Sequence, residues 1–246
     1  AAFVLAKVRQ ESDLKVIGIT GSNGKTTTKN MLRAILQTQG PTIAPIESFN
    51  NEVGAPISIL KVDAETKYLV VELGAGGPGS IAYLTDITKP DIAVVLKVGL
   101  AHVGEFGGIE GTAKIKGELP ARLTADDLLI LNSDDGYVRD MPSEAKRLSF
   151  GTAGDADYRA TGQALTIDGT EFDLHWPNAE LSKVKLQILG EHHVMNALAS
   201  AAVADQLGVP RAQIIGALEA MPLAERWRME VRHRVDGVTE IGRAHV

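Results

Sequence analysis

A lysine at the mouth of a helix, with glycines before it and hydroxyls after it, can hold phosphate. The run Thr20-Gly21-Ser22-Asn23-Gly24-Lys25-Thr26-Thr27-Thr28 has that order, and the apolar stretch Lys15–Ile19 leads into it. Gly21 and Gly24 let the backbone approach an anion and turn its N–H groups inward, and the helix N-terminus adds its dipole. Lys25 is placed to reach the β- and γ-phosphates of a nucleotide, and the Thr26 hydroxyl to ligate Mg²⁺. Gly21, Ser22, Asn23, Gly24, Lys25, Thr26 and Thr27 are therefore candidate nucleotide contacts. The spacing is not the common phosphate-loop spacing, because Ile19 stands where the first glycine belongs and Gly18 comes one residue early. An ordinary glycine-rich turn with a solvated lysine is the competing reading.

Other polar residues punctuate the chain at places where strands should end. Glu72 closes the apolar run Tyr68–Val71. An ionised carboxylate there is costly unless it is paired or bound to a metal, and Mg²⁺ favours carboxylates, waters and phosphates. A surface glutamate is the plainer alternative. His102 follows the next apolar run, and an isolated histidine at such a place is more often structural. Asn50, Asn51 and Glu52 precede a Gly-x-Pro turn as a polar loop rich in donors and acceptors, or simply as a capped turn. Lys114 and Lys116 lie two apart on a helix, so they do not share a face and are most simply solvated. His193 and Asn196 open an Ala-rich helix, where a histidine has one donor and one acceptor to offer.

These groups need a scaffold that gathers them. The runs at 15–19, 68–74, 91–99, 127–132 and 146–151 are continuous rather than alternating, as in parallel strands covered on both faces. Helical patterns at 26–40, 79–84 and 109–123 lie between them. The alternation predicts an α/β fold with a doubly wound, mostly parallel sheet. Residues 155–189 alternate apolar and polar, with Asp168-Gly169 as a hairpin turn, and predict a small antiparallel sheet. Helices are expected at about 193–207 and from Arg211 onward.

The chain has 246 residues, a formal net charge of −6, 44% apolar and 23% charged residues, and no cysteine. That length is ample for a buried core. The composition excludes wholesale disorder, a disulfide framework and any thiolate metal site. No apolar run approaches the ~20 residues of a membrane span. The N-terminal residues lack the basic-then-apolar order of a signal peptide. Mild acidity and 4% aromatic residues disfavour a nucleic-acid surface. No membrane or nucleic-acid partner is expected, and a monomer in a reducing, cytoplasmic compartment is.

The loop TGSNGKTT closely resembles the variant phosphate loop of the Mur ligase family, the ATP-dependent amide-bond ligases of peptidoglycan precursor synthesis. Folylpolyglutamate and cyanophycin synthetases carry related loops. The segment SFNNEVGAP (48–56) resembles the branch that adds D-alanyl-D-alanine to UDP-N-acetylmuramoyl-tripeptide. The resemblance implies ATP and two Mg²⁺ ions as cofactors and those two small molecules as substrates, with Asn50, Asn51 and Glu52 on the substrate side. It implies Thr26 and Glu72 as ligands of one ion. His102, and Lys116 as a carbamate, would be ligands of the second, with Lys25, His102 and Lys116 as the catalytic set. It implies Asn196 on adenine, with His193 where the family has an asparagine, and Arg228 (or Arg226) on the nucleotide. Lys97, Gly76, Gly77 and Pro78 depart from the family pattern. A related ligase with another acceptor, or a non-catalytic nucleotide-binding module, would carry much of the same pattern.

The resemblance divides the chain into a linker (1–13) from an N-terminal domain, a central ATP-binding domain (14–222) and the start of a C-terminal domain (223–246). The run after Gly237 has no closing element, which suggests a truncated reading frame. Residues 240–246 resemble a translated sequencing adapter.

Overall fold

The computed structural model describes residues 1–45, 49–99, 106–166 and 169–221, with the backbone alone of 228–233 and 239–243. Helix α1 (Ala2–Glu11) leads to strand β1 (Lys15–Thr20), then α2 (Lys25–Leu36), β2 (Thr42–Ile43), α3 (Gly54–Ile59) and β3 (Tyr68–Glu72). Next come α4 (Ser80–Thr88), β4 (Ile92–Val95), α5 (Ile109–Lys116), a 3₁₀ turn (Pro120–Arg122), β5 (Leu128–Asn132), α6 (Gly136–Arg139) and β6 (Lys146–Gly151). Strands β7 (Tyr158–Thr166), β8 (Gly169–His175) and β9 (Leu181–Leu186) precede α7 (His192–Gln206) and α8 (Arg211–Glu219). Strands β10 (Arg228–His233) and β11 (Thr239–Arg243) pair with each other, antiparallel.

The first nine strands form one sheet in the order β2-β3-β1-β4-β5-β6-β7-β8-β9. Pairing is parallel from β2 to β7 and antiparallel from β7 to β9. The antiparallel strands expected at 155–190 are present, but they extend the parallel sheet. Phe150 pairs with Tyr158 and Gly151 with Arg159, which welds the two parts together.

Continuous apolar strands produce two cores because side chains alternate across the sheet. Ile17, Ile19, Val70, Val94 and Ile130 face a core with α2, α7 and α8. Val16, Leu69, Val71, Val95 and Leu129 face a second core with α3, α4 and α5. Helix α2 carries three threonines directly after Lys25, each disfavoured in a helix by up to about 0.7 kcal/mol. Met31, Leu32, Ile35 and Leu36 on the same helix are fully buried. At about 1.5–3 kcal/mol per side chain, that burial outweighs the propensity cost.

Three segments are more regular, or shorter, than the sequence pattern suggests. Residues 2–11, read as linker, are helical, with Leu5 in the second core and Arg9 paired to Asp91 and donating to the Lys89 carbonyl at 2.8 Å. The Gly-x-Pro turn is the first turn of α3, where a proline needs no N–H partner. Helix α5 stops at Lys116 rather than continuing to 123: Gly117 is its C-cap, and a separate 3₁₀ turn follows at Pro120–Arg122. Among the described residues no helix is long and apolar enough to cross a membrane.

Candidate active site at the strand ends

Strand β1 lies between β3 and β4, so the chain leaves it at the point where the order of the sheet reverses. In open α/β sheets the crevice at that point, outside the carboxyl ends of the strands, is where ligands bind. The loop 21–24 occupies it. Register places Ile19 beside Glu72 and Thr20 beside Val95. The Thr20 hydroxyl donates to the Leu73 carbonyl at 2.9 Å, and the Ser22 amide to the Lys97 carbonyl at 2.7 Å. The loop is thus stitched to both neighbouring strands.

Gly24 has φ of 88° and caps α2, a conformation that L-residues avoid. A Cβ there would lie 2.4 Å from Asn196 Oδ1. Lys25 folds back over the loop, its Nζ donating to the Gly21 carbonyl at 2.7 Å. Thr27 is buried, and Ser22 exchanges hydrogen bonds with Gly99.

Glu72 is nearly inaccessible at the end of β3. One oxygen, Oε1, lies 2.8 Å from Lys29 Nζ, with both side chains 1% exposed. The other, Oε2, accepts from the Thr26 hydroxyl at 3.3 Å. A hydroxyl beside a carboxylate oxygen at the mouth of a phosphate loop suits a hard divalent cation that takes its other ligands from phosphate and water. Among the described residues no group of three or more His, Asp and Glu gathers to hold a metal unaided. Lys116, the last residue of α5, is 4% exposed. Burial, and then the charge of Lys25, bring its pKa down to about 8. The charge of Lys25 is thus felt at Lys116.

A cleft of about 590 Å³ runs from Asn23 and Gly24 along the ends of β4, β5 and β6 to the start of α7. Leu96, Ile109, Phe150 and Met195 supply apolar walls, and Lys97, Asn132, Asp134 and Thr152 supply polar ones. Asn132 donates to the Leu96 carbonyl at 2.7 Å, and Asp135 Oδ2 accepts from the Val98 amide at 2.8 Å, fixing the cleft floor. Asn196 reaches the loop from α7, 5% exposed, its Oδ1 accepting from Thr28 Oγ1 at 3.4 Å. His192 lines the cleft, whereas His193 is buried behind it and is not among the lining residues. Burial, and then the neighbouring His192, push His193 down to about 4, so it is neutral at ordinary pH. Its Nδ1 is buried without a hydrogen-bond partner among the described residues.

On the other side of the loop, the Asn50 carbonyl accepts from the Gly74 amide at 2.7 Å, which sets Asn50 just beyond Glu72. Asn51 turns its side-chain oxygen to the amides of Val53 (3.2 Å) and Gly54 (2.8 Å) and so caps α3, while Glu52 is solvent-exposed. His102 and Arg226 lie outside the described residues, and Arg228 is described only as backbone in β10. The structure therefore gathers Lys25, Thr26, Glu72, Lys116, Asn196 and Asn50 at one edge.

Sequence reasoning missed two cleft and loop residues. Lys29 was legible in principle, since it follows Lys25 by four residues and Thr26 by three on the same helix face. Gln163 lines the cleft because the pairing of β7 and β8 slips between Thr161 and Ala164, with Gly162 at φ of 62°. A bulge of that kind re-aims a side chain, and nothing local in the sequence announces it.

Comparison with known proteins accords with this geometry. Residues 19–204 match the family model described as the Mur ligase middle domain. The UDP-N-acetylmuramoyl-tripeptide–D-alanyl-D-alanine ligase of Mycobacterium tuberculosis is 41% identical over 236 residues, 94% of this chain and 46% of that protein. The ligase of the same name from Escherichia coli K12 is 37% identical over 207 residues, 82% of this chain and 46% of that protein. The crystal structure of MurF from Acinetobacter baumannii superposes with a TM-score of 0.87 at 35% identity, covering 94% of this chain and 51% of that one. MurF ligase from Thermotoga maritima, solved in complex with ADP, gives 0.80 at 30%, covering 95% and 55%. The chain spans about half the length of the curated relatives it matches. With the phosphate loop, the strand-end glutamate and the α7 asparagine brought to one crevice, and 19–204 matched throughout, this chain belongs to the Mur ligase family and carries its middle domain.

Proposed function

We propose that this chain holds the ATP-binding centre of the ligase that joins D-alanyl-D-alanine to UDP-N-acetylmuramoyl-tripeptide in the cytoplasm. The meeting of Lys25, Thr26 and Glu72 with Asn196 at the mouth of α2 carries the reading. The likeness to D-alanyl-D-alanine-adding ligases supports the choice of acceptor.

In the proposed reaction the tripeptide carboxylate attacks the γ-phosphorus of ATP, ADP leaves, and an acyl phosphate forms. The amine of D-alanyl-D-alanine then attacks that carbonyl, loses its proton, and expels phosphate. Lys25 sets its charge against the phosphates, and the amides of the loop and of the first turn of α2 surround them. Thr26 and Glu72 would hold one Mg²⁺, and His102 with a Lys116 carbamate would hold a second. When bound, the ions neutralise charge developing on the transferring phosphoryl group. Burial of Lys116 favours the neutral amine that captures CO₂. Asn196 offers both a donor and an acceptor to adenine in the cleft that Phe150 and Met195 also line. Asn50, beside Gly74, is assigned to the tripeptide side with Asn51 and Glu52, and Arg228 is assigned to the nucleotide.

Calorimetry with ADP and Mg²⁺ tests the centre directly. The wild type is expected to bind and Lys25→Ala is not; equal affinity in the two removes the phosphate-loop assignment. Phosphate release from ATP that needs both the UDP-tripeptide and D-alanyl-D-alanine identifies the acceptor. Release driven instead by a different amino acid or peptide overturns that part of the proposal.

A further inference from the structure

The buried partner of Glu72 has no place in the proposed chemistry above. Lys29 is among the largest fully buried side chains of the protein, and its ammonium lies 2.8 Å from Glu72 Oε1. A buried ion pair is seldom a source of stability, since apolar residues of similar volume often serve packing as well or better. Its position matters more. Lys25, Thr26 and Lys29 share one face of α2, so the helix that offers a hydroxyl to Glu72 Oε2 also delivers a positive charge to Oε1.

We infer that Lys29 is a positioning residue for the cation at the phosphate loop. It holds one oxygen of Glu72, leaves the other beside Thr26, and cancels the carboxylate charge so that a divalent ion is taken up with the nucleotide rather than ahead of it. The inference rests on the nucleotide-and-cation reading given above. A carboxylate whose charge is already balanced attracts a divalent ion weakly, and nucleotide phosphates supply the missing negative charge. The split of the carboxylate also makes Glu72 a one-oxygen ligand, with Oε2 turned toward the loop.

The probe is Mn²⁺, followed by its electron paramagnetic resonance signal on the 246-residue chain with and without ADP. Lys29→Gln keeps a polar side chain against Oε1 and removes the charge; Lys29→Arg keeps the charge. In the wild type, Mn²⁺ is expected to bind far more tightly with ADP than alone. In Lys29→Gln, nucleotide-free affinity is expected to rise by about tenfold or more, shrinking the dependence on ADP. Lys29→Arg is expected to keep the wild-type dependence. A merely structural lysine would lower thermal stability and leave this ratio untouched. A wild-type ratio in Lys29→Gln, or a lost one in Lys29→Arg, overturns the inference. A wild type that binds no Mn²⁺ with ADP overturns the phosphate-loop reading instead. If Lys29→Gln does not fold, the double variant Lys29→Met/Glu72→Gln removes both buried charges together. Its ADP binding is expected to be indifferent to Mn²⁺, and a retained wild-type dependence overturns the inference.

Discussion

Lys116 and Gly24 show how single residues at this edge are constrained by their neighbours. Burial and Lys25 hold the Lys116 pKa at about 8 against an ordinary 10.5. The folded chain therefore grips that proton less tightly than the unfolded one, and stability rises with pH between those two values and is flat below them. Relative to Lys116→Met, which does not titrate, the wild type is expected to gain about 3 kcal/mol across that window. Urea titrations at pH 7, 8, 9 and 10 in CO₂-free buffer, which keeps the amine uncarbamylated, measure it, and a constant difference between the two proteins would place Lys116 in solvent. Gly24→Ala combines a left-handed backbone with a Cβ 2.4 Å from Asn196 Oδ1. About 1–2 kcal/mol of stability is expected to go to backbone strain, and ADP affinity to fall as Asn196 is displaced. A variant with wild-type melting and ADP binding would mean that the loop and α7 do not meet.

At the level of elements, α7 owes its place to small side chains. Ala197, Ala199, Ala201, Ala202 and Ala204 are fully buried, and the Ser200 hydroxyl donates both to the Thr28 carbonyl (3.4 Å) and to the Asn196 carbonyl (2.8 Å). This close approach of α7 to α2 is what carries Asn196 to Gly24. Ala201→Leu is expected to overpack the site at a cost of about 1–3 kcal/mol. Thermal unfolding and ADP calorimetry on the same variant check whether stability and nucleotide affinity fall together. Helix α3 depends on a cap instead. Asn51→Ala removes the acceptor for Val53 and Gly54, at an expected cost of about 0.5–2 kcal/mol. Arg9→Ala is expected to cost less than about 1 kcal/mol, because the Arg9–Asp91 pair is partly exposed and Asp91 still accepts from the Val16 amide.

Across the whole molecule, the antiparallel strands are not an appendage. Ala160, Phe172, Leu174, Trp176, Val184 and Leu186 share one core with α2, α7 and the face of β1 that bears Ile17 and Ile19. The Tyr158 hydroxyl also donates to Asp205 at 2.7 Å and accepts from Gln206 at 2.9 Å, tying β7 to the end of α7. A shared core predicts one cooperative transition for residues 14–221. In a Trp227→Phe background, Trp176 fluorescence and far-UV circular dichroism are expected to report the same urea midpoint. Separate midpoints would show that β7–β9 form a unit of their own.

The sequence alone carried the glycine–lysine loop between a strand and a helix, the doubly wound alternation, the strand-end position of Glu72 and the start of α7, because each is written in a short run of adjacent residues. Glycines beside a helix start, unbroken β-branched runs and an Ala-rich stretch keep their meaning without knowledge of what packs on them. Tertiary structure decided the rest. It merged the antiparallel strands into the main sheet, turned the segment before β1 into a helix, and placed Gln163 in the cleft through a bulge. It also buried Lys29, whose charge by itself marks a solvated position and which is tolerable inside only because β3 brings Glu72 within 2.8 Å. Partners so far apart in the chain meet only through long-range strand pairing and helix packing, and no local pattern encodes that meeting.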